Sequence, residues 1–174
     1  LLTRLSDIDD RGMAFEDTRI SWREHVRASH DRAALLRDLL DENAPPHIGV
    51  LMDNVPEFSL LLGAAALSGS VVAGLNTTRR GEALARDIAL TDCRVVFTES
   101  AHLPLLDGLD LPGVRVIDVD SADWPEMLAP FAGSAPVVAQ TKPDDLQLPW
   151  SARPSSPSLG MPAIGTPRWR QALW

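Results

Sequence analysis

The sequence has a single cysteine, Cys93, a single lysine, Lys142, and no apolar run approaching the length of a membrane span. One cysteine excludes an internal disulfide framework and fits a reducing compartment, so a cytoplasmic location is expected. The chain opens at Leu1 with neither an initiator Met nor a basic-then-apolar leader. No export signal is therefore expected, and the true N-terminus is left open. Cations are outnumbered: 16 Lys and Arg face 24 Asp and Glu, a net charge of −8. That balance argues against nucleic-acid partners and against docking on anionic membrane.

Acid is missing from one end altogether. All 24 acidic groups fall within residues 1–145, which carry a net −11. Residues 146–174 hold Arg153, Arg168 and Arg170 with no acid, five of the 14 prolines and three of the five tryptophans. Such a break predicts a boundary, with one unit over 1–146 and a Pro/Ser/Arg/Trp-rich tail over 147–174. A tail of that composition buries too little apolar surface to offset ordering entropy of roughly 1–2 kcal/mol per residue, so it is expected to be irregular or loosely docked.

What is present is alternation. Ser21 precedes WREHVRASHDRAALLRDLL, where Trp22, Val26, Ala33, Leu36 and Leu40 recur at helical spacing and Ser21 with Glu24 makes a capping box. Pro45-Pro46 ends that unit, and HIGVLMD (47–53) reads as a strand buried on both faces. Asn54 is a candidate cap for a helix opening near Pro56. Strands are expected at 70–76, 93–99 and 113–120, with helices at 80–92 and 121–130 and a short helix or loop at 100–108. This pattern predicts an α/β fold: a partial doubly wound, mainly parallel sheet with flanking helices. Ligand-facing segments would then be DNVPE, LNTTRRG, TES and DVDSAD, which follow the strands' carboxyl ends.

The individual candidates for chemistry have plainer readings. His25, His30, His47 and His102 show no metal-ligand spacing and read as solvated or capping groups. Cys93 has no Cys-x-x-Cys partner and reads as a core thiol. Asp118, Asp120 and Asp123 lack the Gly and distal Glu of a calcium loop, and a strand-to-helix turn with an N-cap explains them better. Arg79-Arg80 before Gly81 could grip a phosphate, but a solvated pair at a helix start is the simpler account. No Gly-x-Ser-x-Gly occurs, and no Gly-x-Gly-x-x-Gly follows a strand. No catalytic, cofactor-binding or metal residue is assigned from the residues alone.

Two stretches carry a resemblance. FEDTRISWREHVRAS and HIGVLMDNVPEFSLLLGAAALSGSVVAGLNTTRRGEALARDIALTDCRVVFTES are similar to the start of the adenylate-forming (AMP-binding) acyl-CoA synthetases. The GLNTTRRGEALARDIALTDCRVVFTE phrase most resembles the bacterial fatty-acyl branch of very-long-chain and transporter-like enzymes. The resemblance runs over about residues 7 to 146 and leaves the acyl chain length open. It implies the N-terminal part of a large ligase domain in a two-step reaction. ATP and a fatty acid give an acyl-adenylate and pyrophosphate, and CoA then displaces AMP. ATP, Mg²⁺ and CoA are cofactors of the full-length family.

The family's triphosphate loop, Ser/Thr/Gly-rich and ending Gly-x-Pro-Lys, follows an Asp-Asp-Leu and a buried strand. Here Asp144-Asp145-Leu146 stands in place, and SSPSLGMPA (155–163) falls where the loop should be. Pro157 replaces a Gly, which removes an N–H, and Ala163 replaces the Lys. Pro149 and Pro154 bracket WSAR and forbid central ladder pairing in the preceding strand. Gly160-x-x-x-x-Gly165 is followed by Thr166, so it fails as a Lys-containing phosphate loop as well. The stretch reads as a remnant or chance, and the family's later motifs have no counterpart in this chain. A truncated, inactive form is expected, with no cofactor of its own and an apolar sheet edge free for self-association. The alternatives are a stand-alone Rossmann- or flavodoxin-like binding module and a non-catalytic partner of a full-length homologue.

Overall fold

In the computed structural model, residues 2–134 and 169–173 are described. A short helix α1 (Leu2–Leu5) leads into a hairpin, β1 (Arg11–Phe15) and β2 (Thr18–Ser21), which pair antiparallel with Phe15 opposite Thr18. The two-residue turn puts Glu16 at φ +52°, a left-handed position for a non-glycine residue. This hairpin has no counterpart in the sequence reading: neither of its short strands offers a sustained alternation of apolar and polar residues.

The long helix α2 (Trp22–Leu39) starts as its sequence predicts. Ser21 Oγ accepts the Glu24 N–H at 3.2 Å, and Glu24 Oε2 accepts the Ser21 N–H at 2.8 Å. Both hydrogen bonds hold the Glu24 carboxyl below its usual range, the one from the Ser21 backbone first. Four parallel strands follow, β3 (His47–Leu51), β4 (Val71–Gly74), β5 (Val95–Thr98) and β6 (Arg115–Asp118), in the order β4-β3-β5-β6. Between them run α3 (Pro56–Ser68), α4 (Gly81–Leu90) and a 3₁₀ turn over Ser100–Leu105. After β6 come α5 (Asp123–Leu128) and a second 3₁₀ turn, Ala129–Phe131.

The central strands β3 and β5 are buried on both faces, which is why they read as nearly continuous apolar runs. Ile48, Val50, Val95, Phe97 and Ile117 pack with Ala33 and Leu36 of α2, Leu61 and Ala64 of α3 and Trp124 of α5. Their neighbours Leu51 and Val96 turn the other way, against Leu84 and Ile88 of α4 and Leu106. Helices thus cover both faces, and the doubly wound α/β reading holds. Two caps differ from expectation. The cap of α3 is Val55 rather than Asn54, with Pro56 in the first turn, and no side chain caps α5.

The irregular tail expected over 147–174 differs at its end. Trp169–Leu173 form β7, antiparallel to β1 on the side away from β2. A five-residue segment without proline can complete a hairpin edge wherever an open ladder presents itself. The boundary near Leu146 and the SSPSLGMPA stretch lie outside the described residues.

Candidate functional site at the mouth of the sheet

The chain leaves β3 toward β4 on one side and returns past it to β5 on the other, so the strand order reverses between β3 and β5. In open α/β sheets ligands bind in the crevice at that reversal, outside the carboxyl ends of the strands. Leu51 and Thr98 pair there as the last residues of the two strands. The next residues diverge and carry three polar side chains into one place. Asp53 follows β3, Glu99 follows β5, and His102 stands on the 3₁₀ turn three residues later.

Their geometry is tight. Glu99 Oε2 accepts the Asp53 N–H at 2.6 Å, which ties the two diverging turns together. His102 Nε2 lies 3.4 Å from Asp53 Oδ1 and 3.9 Å from Glu99 Oε2. Asp53 faces water, 68% exposed, whereas Glu99 and His102 are 15% and 16% exposed. The Nε2 atom itself is shielded from solvent and has no hydrogen-bond partner.

Beside this trio a second polar knot ties β5 to β6. Ser100 Oγ donates to Asp118 Oδ2 at 2.5 Å, and the Ser100 N–H donates to Asp120 Oδ2 at 3.0 Å. The remaining Asp118 oxygen, Oδ1, accepts the Asp120 N–H. Asp118 and Asp120 are therefore a brace between turns and not the helix cap expected of them, while Asp123 opens α5.

The other residues singled out in the sequence are occupied elsewhere. Arg79 pairs with Asp87 at 3.2 Å, and Arg80 donates to the carbonyls of Thr77 and Arg79 at 2.7 Å each. Both are tied to their own turn and helix at the start of α4. Cys93 is buried just before β5, its Sγ 3.0 Å from Thr91 Oγ1, and burial pushes its thiol pKa up. The imidazole of His47 meets the Thr91 carbonyl through Nδ1 at 2.8 Å.

His25, read from the sequence as solvated or capping, is instead buried, and Ser29 and Arg32, passed over there, lie beside it. His25, Ser29 and Arg32 share the buried side of α2 with its apolar stripe. Arg32 forms a two-pronged ion pair with Glu57 of α3, at 2.5 and 2.6 Å, and its guanidinium carbon lies 5.7 Å from the centre of the Trp124 ring. His25 meets Ser59 of α3 through Nε2 at 3.0 Å. Burial lowers the His25 pKa, and the nearby Arg32 charge lowers it further. Counting only apolar positions hides these residues, although 25, 29, 32 and 36 form one helical row.

Comparison with known proteins settles the lineage. The family described as AMP-binding enzyme matches residues 6–152. The chain belongs to the AMP-binding enzyme family. It is 43% identical over 146 residues to a medium/long-chain-fatty-acid–CoA ligase of Mycobacterium marinum, covering 84% of this chain and 28% of the relative. The Mycobacterium tuberculosis ligase of the same description is 50% identical over 130 residues, 74% of this chain and 25% of the relative. A steroid-22-oyl-CoA synthetase of Rhodococcus jostii is 40% identical over 139 residues, 78% of this chain and 24% of the relative. The chain thus spans about a quarter of the length of the curated relatives it matches.

The fold agrees. It superposes on the N-terminal domain of the Mycobacterium tuberculosis protein FACL13 with a TM-score of 0.71 at 21% identity, over 83% of this chain and 38% of that one. On the anthranilate CoA ligase AuaEII the TM-score is 0.70 at 16% identity, over 83% of this chain and 29% of that one. The strand order alone does not separate this lineage from a flavodoxin-like module, whose sheet begins the same way. Sequence identity makes that distinction.

Proposed function

We propose that this chain is the N-terminal portion of an ATP-dependent fatty-acyl-CoA ligase, and that by itself it completes neither half of the reaction. The observation that carries the reading is identity of 43–50% to medium/long-chain-fatty-acid–CoA ligases. The whole enzyme would join a fatty acid to ATP, release pyrophosphate and pass the acyl group to CoA with loss of AMP. It would work in the cytoplasm, where the buried, unpaired thiol of Cys93 stays reduced.

The inactivity of this chain follows from charge. Adenylate formation needs a cation and backbone N–H groups on the triphosphate while the carboxylate attacks phosphorus, and removing one such donor typically costs ~10²–10³ in rate. Ala163 stands where the resemblance expects that cation, and Arg79 and Arg80 at the carboxyl end of β4 are already engaged. The chain's one lysine, Lys142, stands outside the stretch where the resemblance expects the loop cation.

ATP–pyrophosphate exchange with the purified chain and a panel of fatty acids is expected to match the protein-free blank. Fatty-acid-dependent exchange would overturn the inactivity. Lineage has a separate test in the DNA downstream of the gene. A continuation encoding a Thr-Ser-Gly-rich loop ending Pro-Lys, in any frame, is expected, and its absence would overturn the partial-ligase reading. We further propose that the chain self-associates through the outer edge of β6.

A further inference from the structure

We propose that Asp53, Glu99 and His102 form a binding site for a divalent transition-metal cation of the Zn²⁺ class at the mouth of the sheet. The ligand atoms of the three residues all lie within 4.8 Å of one another. The His102–Asp53 separation fits a shared cation better than it fits direct contact. A protonated imidazole bonded to a carboxylate brings nitrogen and oxygen to about 2.7–2.9 Å. Here the nearest approach is 3.4 Å and the second is 3.9 Å. Two metal–ligand bonds of about 2.0–2.1 Å meeting at a tetrahedral angle place their ligand atoms roughly 3.4 Å apart.

A second observation points the same way. The Nε2 atom of His102 is shielded from water, has no hydrogen-bond partner and faces the two carboxylates. An imidazole nitrogen left without a partner in that position costs free energy unless something engages it. A bound cation does so and also neutralises two carboxylates held side by side.

The donor set selects the metal. One imidazole with two carboxylates suits Zn²⁺ and its neighbours, whereas Mg²⁺ and Ca²⁺ take oxygen ligands and gain little from imidazole nitrogen. Three protein ligands leave a fourth position for water on the exposed Asp53 side. The cation would join the turn after β3 to the turn after β5, beside the Asp53 N–H bond to Glu99 that already links them. This inference goes beyond the ligase reading and does not depend on it.

The test is a Co²⁺ and Zn²⁺ titration of the full 174-residue chain, freed of metal first. One equivalent of Co²⁺ is expected to bind with the intense visible absorption of a four-coordinate site, and Zn²⁺ to displace it. Saturating Zn²⁺ is expected to raise the melting temperature, and Mg²⁺ at the same concentration to leave it unchanged. Asp53→Asn sits at an exposed position, and Glu99→Gln keeps an acceptor for the Asp53 N–H, so both variants are expected to fold. Each of these, and His102→Gln, is expected to weaken binding at least ~10-fold. Absence of saturable binding, or binding equally tight in all three variants, would overturn the site.

Discussion

Single side chains set a pH response of stability. His25 is buried and its pKa is lowered from the 6.5 of a free histidine by burial and then by Arg32. His30 shifts the same way through burial. The unfolded chain therefore binds more protons than the folded one as pH falls below 6.5. Stability is full above that pH and declines until the folded-state pKa is reached, where it levels off. Thermal melts between pH 8 and pH 5 are expected to show this loss, reduced in His25→Gln by its own share. An unchanged slope in that variant would remove His25 as the cause. At Ser21 the cap acts locally: Ser21→Ala is expected to cost ~1 kcal/mol, read as a lower urea midpoint at unchanged slope.

Between elements, the contact of α2 with α3 is specified by polar pairs and close approach. The Arg32–Glu57 pair crosses it with both side chains mostly buried. Removing one partner strands the other charge, so Glu57→Leu is expected to destabilise by about 3–5 kcal/mol, whereas the double change with Arg32→Met recovers much of it. A double-mutant cycle by urea unfolding measures the coupling. Nearby, the helices approach so closely that a Cβ on Gly63 would stand 2.4 Å from Ser29 Oγ. Gly63→Ala is expected to cost ~1–3 kcal/mol despite alanine's better helix propensity. A stabilised variant would show that α3 can shift outward. Gly69 closes the same helix at φ +80°, a position where a side chain would strain the backbone.

For the molecule as a whole, the parallel sheet ends at β6 without a further strand among the described residues. Val116 on that strand is exposed, and so is Leu90 of α4. An unpaired edge carrying apolar side chains is a template for another chain. Sedimentation of the full chain is expected to show concentration-dependent association, reduced in Val116→Lys by a charge on the edge. A clean monomer at all concentrations would remove the proposed self-association.

Much of this architecture was legible in the sequence because its signals are local. The Ser21–Glu24 box lies within one turn, the strands at β3 and β5 are unbroken apolar runs, and Pro56 can open but not continue a helix. The family phrases lie on those same segments. The β1–β2 hairpin stayed hidden because its strands are short and weakly patterned, and β7 because its partner is more than 150 residues away. Strand order was equally out of reach, since short loops permit several orders and only packing of α3 and α4 on opposite faces selects one. The same holds for the Asp53–Glu99–His102 cluster. Residues 46 positions apart share no periodicity, and they meet only because parallel strands β3 and β5 end side by side.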